Sequence, residues 1–175
     1  DGESSEVLIR SDLPTGRYNV RVAVERASDG VAGSVQATLE VPDFARAALA
    51  LSGVAMGRGN GGRISGRQEI DGLLPFAPTA VRAFAKRDRV GALLRVHQAS
   101  NRPVAVTMTT SISDALGATI STRSDMIPPK AFVNGAAEHR FEVPLSDLVP
   151  GLYLLRFVAT TGATSVQREV RFAIR

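Results

Sequence analysis

The residues able to carry chemistry fall into three groups. The first is Gly57-Arg-Gly-Asn-Gly-Gly62, which fits the spacing G-x-G-x-x-G. That spacing cradles a pyrophosphate when a strand precedes it and a helix opens at its last glycine. Here Arg63-Ile-Ser-Gly-Arg67 follows, a poor start for a helix, so the dinucleotide reading is rejected and a flexible loop is expected. Arg58, Arg63 and Arg67 with free glycine amides in that loop form a set that could hold an anion. The second group is the two histidines, His97 and His139. The chain has no Cys, and no D-x-D cluster completes a metal-ligand set, so both are expected as surface histidines on strands. The third is the hydroxyl run Thr107-Met-Thr-Thr-Ser-Ile-Ser113. It lacks the G-x-S-x-G elbow of a serine nucleophile, and alternating Thr and Ser on a strand usually decorate a solvent face. No catalytic, cofactor or metal residue is assigned.

These side chains need strands to position them. The most informative stretch is Ser146-Asp-Leu-Val-Pro-Gly-Leu-Tyr153-Leu-Leu-Arg-Phe-Val-Ala159. Pro150-Gly151 makes a turn, and a dense run of strand formers follows at once. A tyrosine opening a strand just after a turn is where sandwich domains place a tyrosine corner, its hydroxyl bonding back to the backbone a few residues upstream. Tyr153 is therefore expected to be such a corner, on strand F of an immunoglobulin-like β-sandwich.

The same arrangement occurs earlier. Asp12, Leu13, Gly16, Tyr18 and Arg21 match Asp147, Leu148, Gly151, Tyr153 and Arg156 at a single offset of 135. Tyr18 is thus expected as a second structural corner. Ser28-Asp-Gly30 and Thr161-Gly162 read as hairpin turns. Ser34–Val41 returns as the counterpart of Ser165–Phe172. An internal repeat is a statement about architecture before function. Asp12 and Asp147 recur within it, as acceptors for turn amides ahead of the Pro-Gly or Gly turn.

Three strands cannot close a sandwich. Residues 1–44 are therefore expected to be the last three strands (E, F and G) of one immunoglobulin-like sandwich, and residues 45–175 a complete second one. Ala45–Ser52 leads into the first strand of that second domain, and Thr79–Phe84 forms a further piece of its edge. Val90, Ala92, Leu94 and Val96 share a core face at period two, leaving Leu93, Arg95 and His97 outward. Val104–Met108 and Ala118–Arg123 are further strands. Arg140–Leu145 is the strand before Tyr153, and Pro144 within it argues for an edge position.

Composition narrows the classes. With 44% hydrophobic residues the chain can bury a real core. The net charge of +4 comes from scattered arginines, the pattern of solvated strand faces and not of a nucleic-acid surface. No apolar run approaches the roughly 20 residues that span a bilayer as a helix. Aromatic residues make up 5%, without Trp, so a stacking platform is poorly supplied. The opening Asp1-Gly-Glu-Ser-Ser-Glu6 is polar and lacks both an initiator Met and a leader, which reads as a fragment of a longer polypeptide.

Taken as an ordered set, Leu51-Ser-Gly-Val54, Pro78–Phe84, Asp88–His97, Leu145–Arg156 and Arg171–Ile174 resemble the C-terminal region of bacterial von Willebrand factor A-related proteins. The resemblance implies export to the periplasm or beyond, a modular setting, and a structural or interaction role. The metal-ion-dependent adhesion motif of that family, D-x-S-x-S, is missing; Asp1-Gly-Glu-Ser-Ser5 has Glu where the first Ser belongs, so no metal residue carries over. The expected function is a non-catalytic module that presents a partner domain or docks to a protein. The alternative is a carbohydrate- or anion-binding module that uses the Gly57–Gly72 loop, or the outer face around Arg95 and His97. The expected partner is a protein or a neighbouring domain of the same polypeptide, with no nucleic acid, no membrane span and no metal.

Overall fold

The structure is a computed structural model that describes residues 6–58, 64–65, 74–99 and 102–175. Most of the Gly- and Arg-rich stretch expected as a loop, with Arg63 and Arg67, lies outside the described residues, while Gly57 and Arg58 belong to a strand. The chain divides into two compact units. The larger contains residues 6–10 and Phe44–Arg175, and the smaller is Ser11–Asp43. Residues 6–10, which the sequence groups with the hairpin that follows, therefore go with the larger unit.

The larger unit is a β-sandwich. One sheet contains β10 (Thr119–Ile127), β9 (Val106–Asp114), β12 (Gly151–Thr161), β13 (Thr164–Ile174) and β7 (Ala83–Phe84), in that order. The other has β11 (Ala136–Val143) beside β8 (Val90–His97), with β4 (Ala50–Leu51) and β5 (Ala55–Arg58) both pairing along the far side of β8. Within the sandwich the chain thus passes from β4 and β5 in one sheet to the edge of the other, where β7 lies parallel to β13 at Ala83–Ala173 and Phe84–Ile174. This is the second edge piece expected at Thr79–Phe84.

Period-two alternation builds the core. Val90, Ala92, Leu94 and Val96 face Met108, Ile112, Leu155, Phe157 and Ala159, and all are at most 1% exposed. Each of the Val, Leu, Ile, Met and Phe side chains among them contributes about 1.5–3 kcal/mol when removed from water. Tyr153 stacks on Phe172 at a ring-centroid distance of 5.5 Å, closing one end of that core. Leu145, on the short 3-10 turn Leu145–Asp147, and Leu148, just after it, are buried there too. β11 is an edge strand, and Pro144 stands just past its last residue, where no ladder hydrogen bond is required of it.

Two features hold the margins. β1 (Glu6–Val7) runs parallel to β6 (Ile64–Ser65). The Glu6 carboxylate accepts from Thr79 Oγ1 at 2.7 Å and from the Ala80 N–H at 2.6 Å, which ties the start of the chain to a segment more than seventy residues later. The Phe76 ring lies across Gly57 and Gly91 on the outer side of the β5–β8 pair.

The smaller unit is a two-stranded antiparallel hairpin, β2 (Gly16–Glu25) with β3 (Ala32–Val41). Its turn follows the Ser28-Asp-Gly30 expectation. Asp29 Oδ1 accepts from Arg26 Nε and from the Val31 N–H, at 2.7 and 3.2 Å.

Candidate functional site

Both tyrosine corners form. Tyr153 Oη donates to the Val149 carbonyl at 2.7 Å, and Tyr18 Oη donates to the Pro14 carbonyl at 2.7 Å, each four residues back. Asp147 departs from expectation. Its carboxylate accepts from Ser146 Oγ at 2.9 Å, because the 3-10 turn already pairs the local amides with Pro144 and Leu145 carbonyls.

The strand pairing refines the repeat. Tyr153 lies opposite Phe172, and Tyr18 opposite Leu39, so Leu39 is the structural counterpart of Phe172. The sequence match Ser34–Val41 to Ser165–Phe172 is therefore displaced by two residues. Shifting a strand by two keeps every side chain on its face. One face of the small hairpin carries Tyr18, Val20, Val22, Val24, Val35, Ala37, Leu39 and Val41, and the other carries Arg17, Asn19, Arg21, Gln36, Thr38 and Glu40. In the larger unit the corresponding face of β12 and β13 is core, with Leu155, Phe157 and Ala159 at 0% exposure. In the hairpin Val22, Leu39 and Val35 are exposed to 41%, 43% and 64%.

The candidate contact residues that are described do not form one cluster. Arg58 pairs with Val90 at the start of β8, and His97 ends that strand, about 23 Å away at 3.3 Å per residue. Arg58 Nη2 is 2.6 Å from Asp88 Oδ2. Burial works against the Asp88 carboxylate, but hydrogen bonds from the Ala85 N–H and from Arg58 outweigh it and hold its pKa below the usual value. Arg58 thus fastens the 85–88 turn, and its charge is spent locally. Arg95 lies 3.3 Å from Glu138, which also takes Arg140 at 2.8 Å. Leu93 does point outward with Arg95 and His97, yet it is buried outside the main core.

The histidines diverge from the surface reading. His139 is inside the sandwich, edge-on to Phe157 at 5.9 Å and 3.4 Å from Thr110 Oγ1. Its neighbours along β11 are alternately buried, and period two carries His139 inward with them. Burial pushes its pKa down. His97 is half-buried, and its ring stacks on Phe44 at 4.3 Å. Burial, with Arg95 close by, lowers its pKa as well.

His97 opens into a pocket of about 650 Å³ lined by Phe44, Gln98, Phe132, Asn134 and Gly135 among others. Asn134 and Gly135, at φ of 52° and 76°, form a two-residue hairpin turn in which Val133 and Ala136 bond reciprocally at 2.9 and 3.0 Å. The Gln98 N–H donates to the Gly135 carbonyl at 2.9 Å, and a Cβ at 135 would stand 3.0 Å from the Gln98 carbonyl oxygen. The Gln98 side chain spans both polar groups of Val104, at 2.9 and 3.2 Å. Sequence reasoning missed this pocket; the available signal was the dipeptide Asn134-Gly135 between two strands. Among the described residues no group of three or more His, Asp or Glu comes together as a metal site.

No protein-family model matches the sequence, and no curated protein aligns with it. Solved structures with a comparable arrangement of strands include the C-terminal domain of Wzt, at 10% identity and a TM-score of 0.49, over 74% of this chain and 75% of that one. A putative β-galactosidase from Bacteroides fragilis aligns at 15% identity and a TM-score of 0.44, over 70% of this chain and 16% of that one. A β-glucuronidase from Parabacteroides merdae aligns at 12% identity and a TM-score of 0.43, over 81% of this chain and 14% of that one. The larger unit is a β-sandwich on its own sheet pairing, and at these identities the likeness transfers no functional residue.

Proposed function

We propose that this chain is a non-catalytic interaction module of an exported multidomain protein, and that residues 11–43 are the closing hairpin of a further sandwich. The observation that carries this reading is the amphipathic hairpin. It repeats the tyrosine corner and the apolar face of β12 and β13, but its apolar face is exposed. A two-stranded hairpin is at best marginally stable in water. An apolar strand face of this kind gains its stability from an opposing sheet. The neighbouring domain or protein that supplies such a sheet is the partner. Export and the modular setting rest on the resemblance to von Willebrand factor A-related proteins.

Hydrogen exchange tests the proposal. Amides of Gly16–Val41 are compared in the 175-residue chain and in the native polypeptide that contains it. Strong protection gained only in the longer polypeptide supports the module reading. Equally weak protection in both overturns it.

A further inference from the structure

We infer that the pocket at the end of β8, between Phe44, His97, Phe132 and Asn134, is a binding site for an uncharged sugar ring. Its volume of about 650 Å³ falls within the range of small-molecule sites. The described side chains that line it carry no carboxylate, ammonium or guanidinium, in a chain where 22% of residues are charged. Burial, with Arg95 close by, lowers the proton affinity of His97 and so favours the neutral ring. With no charged side chain among the described lining, a charged ligand would lose its hydration without a salt-bridge partner in the pocket wall.

Polar groups are nonetheless present. Among the described residues neither the His97 ring nor the Asn134 carboxamide has a hydrogen-bond partner, whereas Gln98 is fully engaged with Val104. A neutral imidazole and a carboxamide each offer a donor and an acceptor, which matches a sugar hydroxyl, itself both donor and acceptor. A purely apolar ligand would leave both groups unsatisfied. The Phe44 and Phe132 rings offer apolar surface for the C–H face of a pyranose. The turn that presents Asn134 is pinned by the Val133–Ala136 pair and by Gln98, so little ordering remains to be done on binding.

The test titrates the 175-residue chain, by saturation-transfer NMR and calorimetry, with the methyl pyranosides of glucose, galactose, mannose and N-acetylglucosamine. Methyl glucuronide and galacturonide serve as charged counterparts. At least one neutral glycoside should bind saturably, and its uronide at least tenfold more weakly. Phe44→Ala and Asn134→Gly should each weaken binding at least about tenfold, or 1.4 kcal/mol. Asn134→Gly keeps the left-handed backbone, so its loss reports the carboxamide and not a broken turn. Failure of every neutral glycoside to saturate, equal binding of uronides, or unchanged binding by Asn134→Gly overturns the inference. The outcome is independent of the hairpin proposal, since every pocket residue belongs to the larger unit.

Discussion

Gly57 gives the sharpest test of the packing. A Cβ at residue 57 would lie 1.9 Å from Phe76 Cδ2 and 2.5 Å from Cε2 and Cγ. Carbon atoms rest about 3.5–4.0 Å apart, so the ring must retreat by about 1.5–2 Å. Expulsion of the ring sets the ceiling on the cost. Full burial of a Phe contributes about 1.5–3 kcal/mol, and Phe76 is half-buried, so its docking is worth about 1–1.5 kcal/mol. The backbone at Gly57 lies outside the left-handed region, so alanine also stabilises by about 0.4–1 kcal/mol through the unfolded chain. Gly57→Ala should therefore destabilise the wild type by about 0.5 kcal/mol, and by no more than about 1 kcal/mol. In a Phe76→Ala background the same substitution should stabilise by about 0.5 kcal/mol, a reversal of sign. Urea unfolding followed by far-ultraviolet circular dichroism measures all four variants, the chain having no Trp. Equal destabilisation by Gly57→Ala in both backgrounds would refute the contact.

Further outcomes follow from the corners, the clasp, the histidines and the hairpin. Tyr153→Phe keeps the stack on Phe172 and loses one bond to Val149, so it should cost the main unfolding transition about 1 kcal/mol, while Tyr18→Phe leaves that transition unchanged. Glu6→Gln removes charge from the bonds to Thr79 and Ala80 and should cost about 1 kcal/mol, read as faster exchange of the Ala80 amide with little change elsewhere. His139 and His97 both have folded pKa values below the ordinary 6.5, so the unfolded chain takes up protons first. Stability from these groups is complete above about pH 6.5 and is lost as pH falls through their folded values, at no more than about 1.4 kcal/mol per pH unit each. Urea melts between pH 7.5 and 5 should show that decline, and His139→Gln should make it shallower; a stability rising toward pH 5 would contradict the buried placement. Val22→Lys, on the exposed apolar face, should leave the main transition within about 0.5 kcal/mol and reduce binding of a hydrophobic dye.

What was legible in the sequence is what period two and turn chemistry encode. The face of Val90, Ala92, Leu94 and Val96, both tyrosine corners and the Ser28-Asp-Gly30 turn all follow from short-range pattern. The same periodicity fails at His139, because alternation says that two faces differ and not which one is core. Ala137 is buried on the same face at 3% exposure and Glu138 pairs with two arginines outside, so the strand pattern carries the information, whereas side-chain polarity alone argues for water. Arg58 was lost for a different reason. Its partner Asp88 lies thirty residues away, and only the β5–β8 pairing brings the two together. The pocket beside His97 needed three separate segments to converge, Phe44, the end of β8 and the Asn134-Gly135 turn, and no local pattern records that convergence.

The repeat was legible even though its alignment was two residues off, and the reason bears on function. A slip of one would have put Arg and Glu on the apolar face, whereas a slip of two preserves it. The hairpin Gly16–Val41 thus keeps the one property that matters for pairing with another sheet, a continuous apolar face opposite a polar one. The larger unit has a covered version of that face and the smaller an uncovered one, both closed by the same corner. Selection for an isolated soluble hairpin would have no use for eight apolar residues on one side, since exposed strand faces of that size invite association. Retention of the face together with the corner therefore argues for a sheet that covers it.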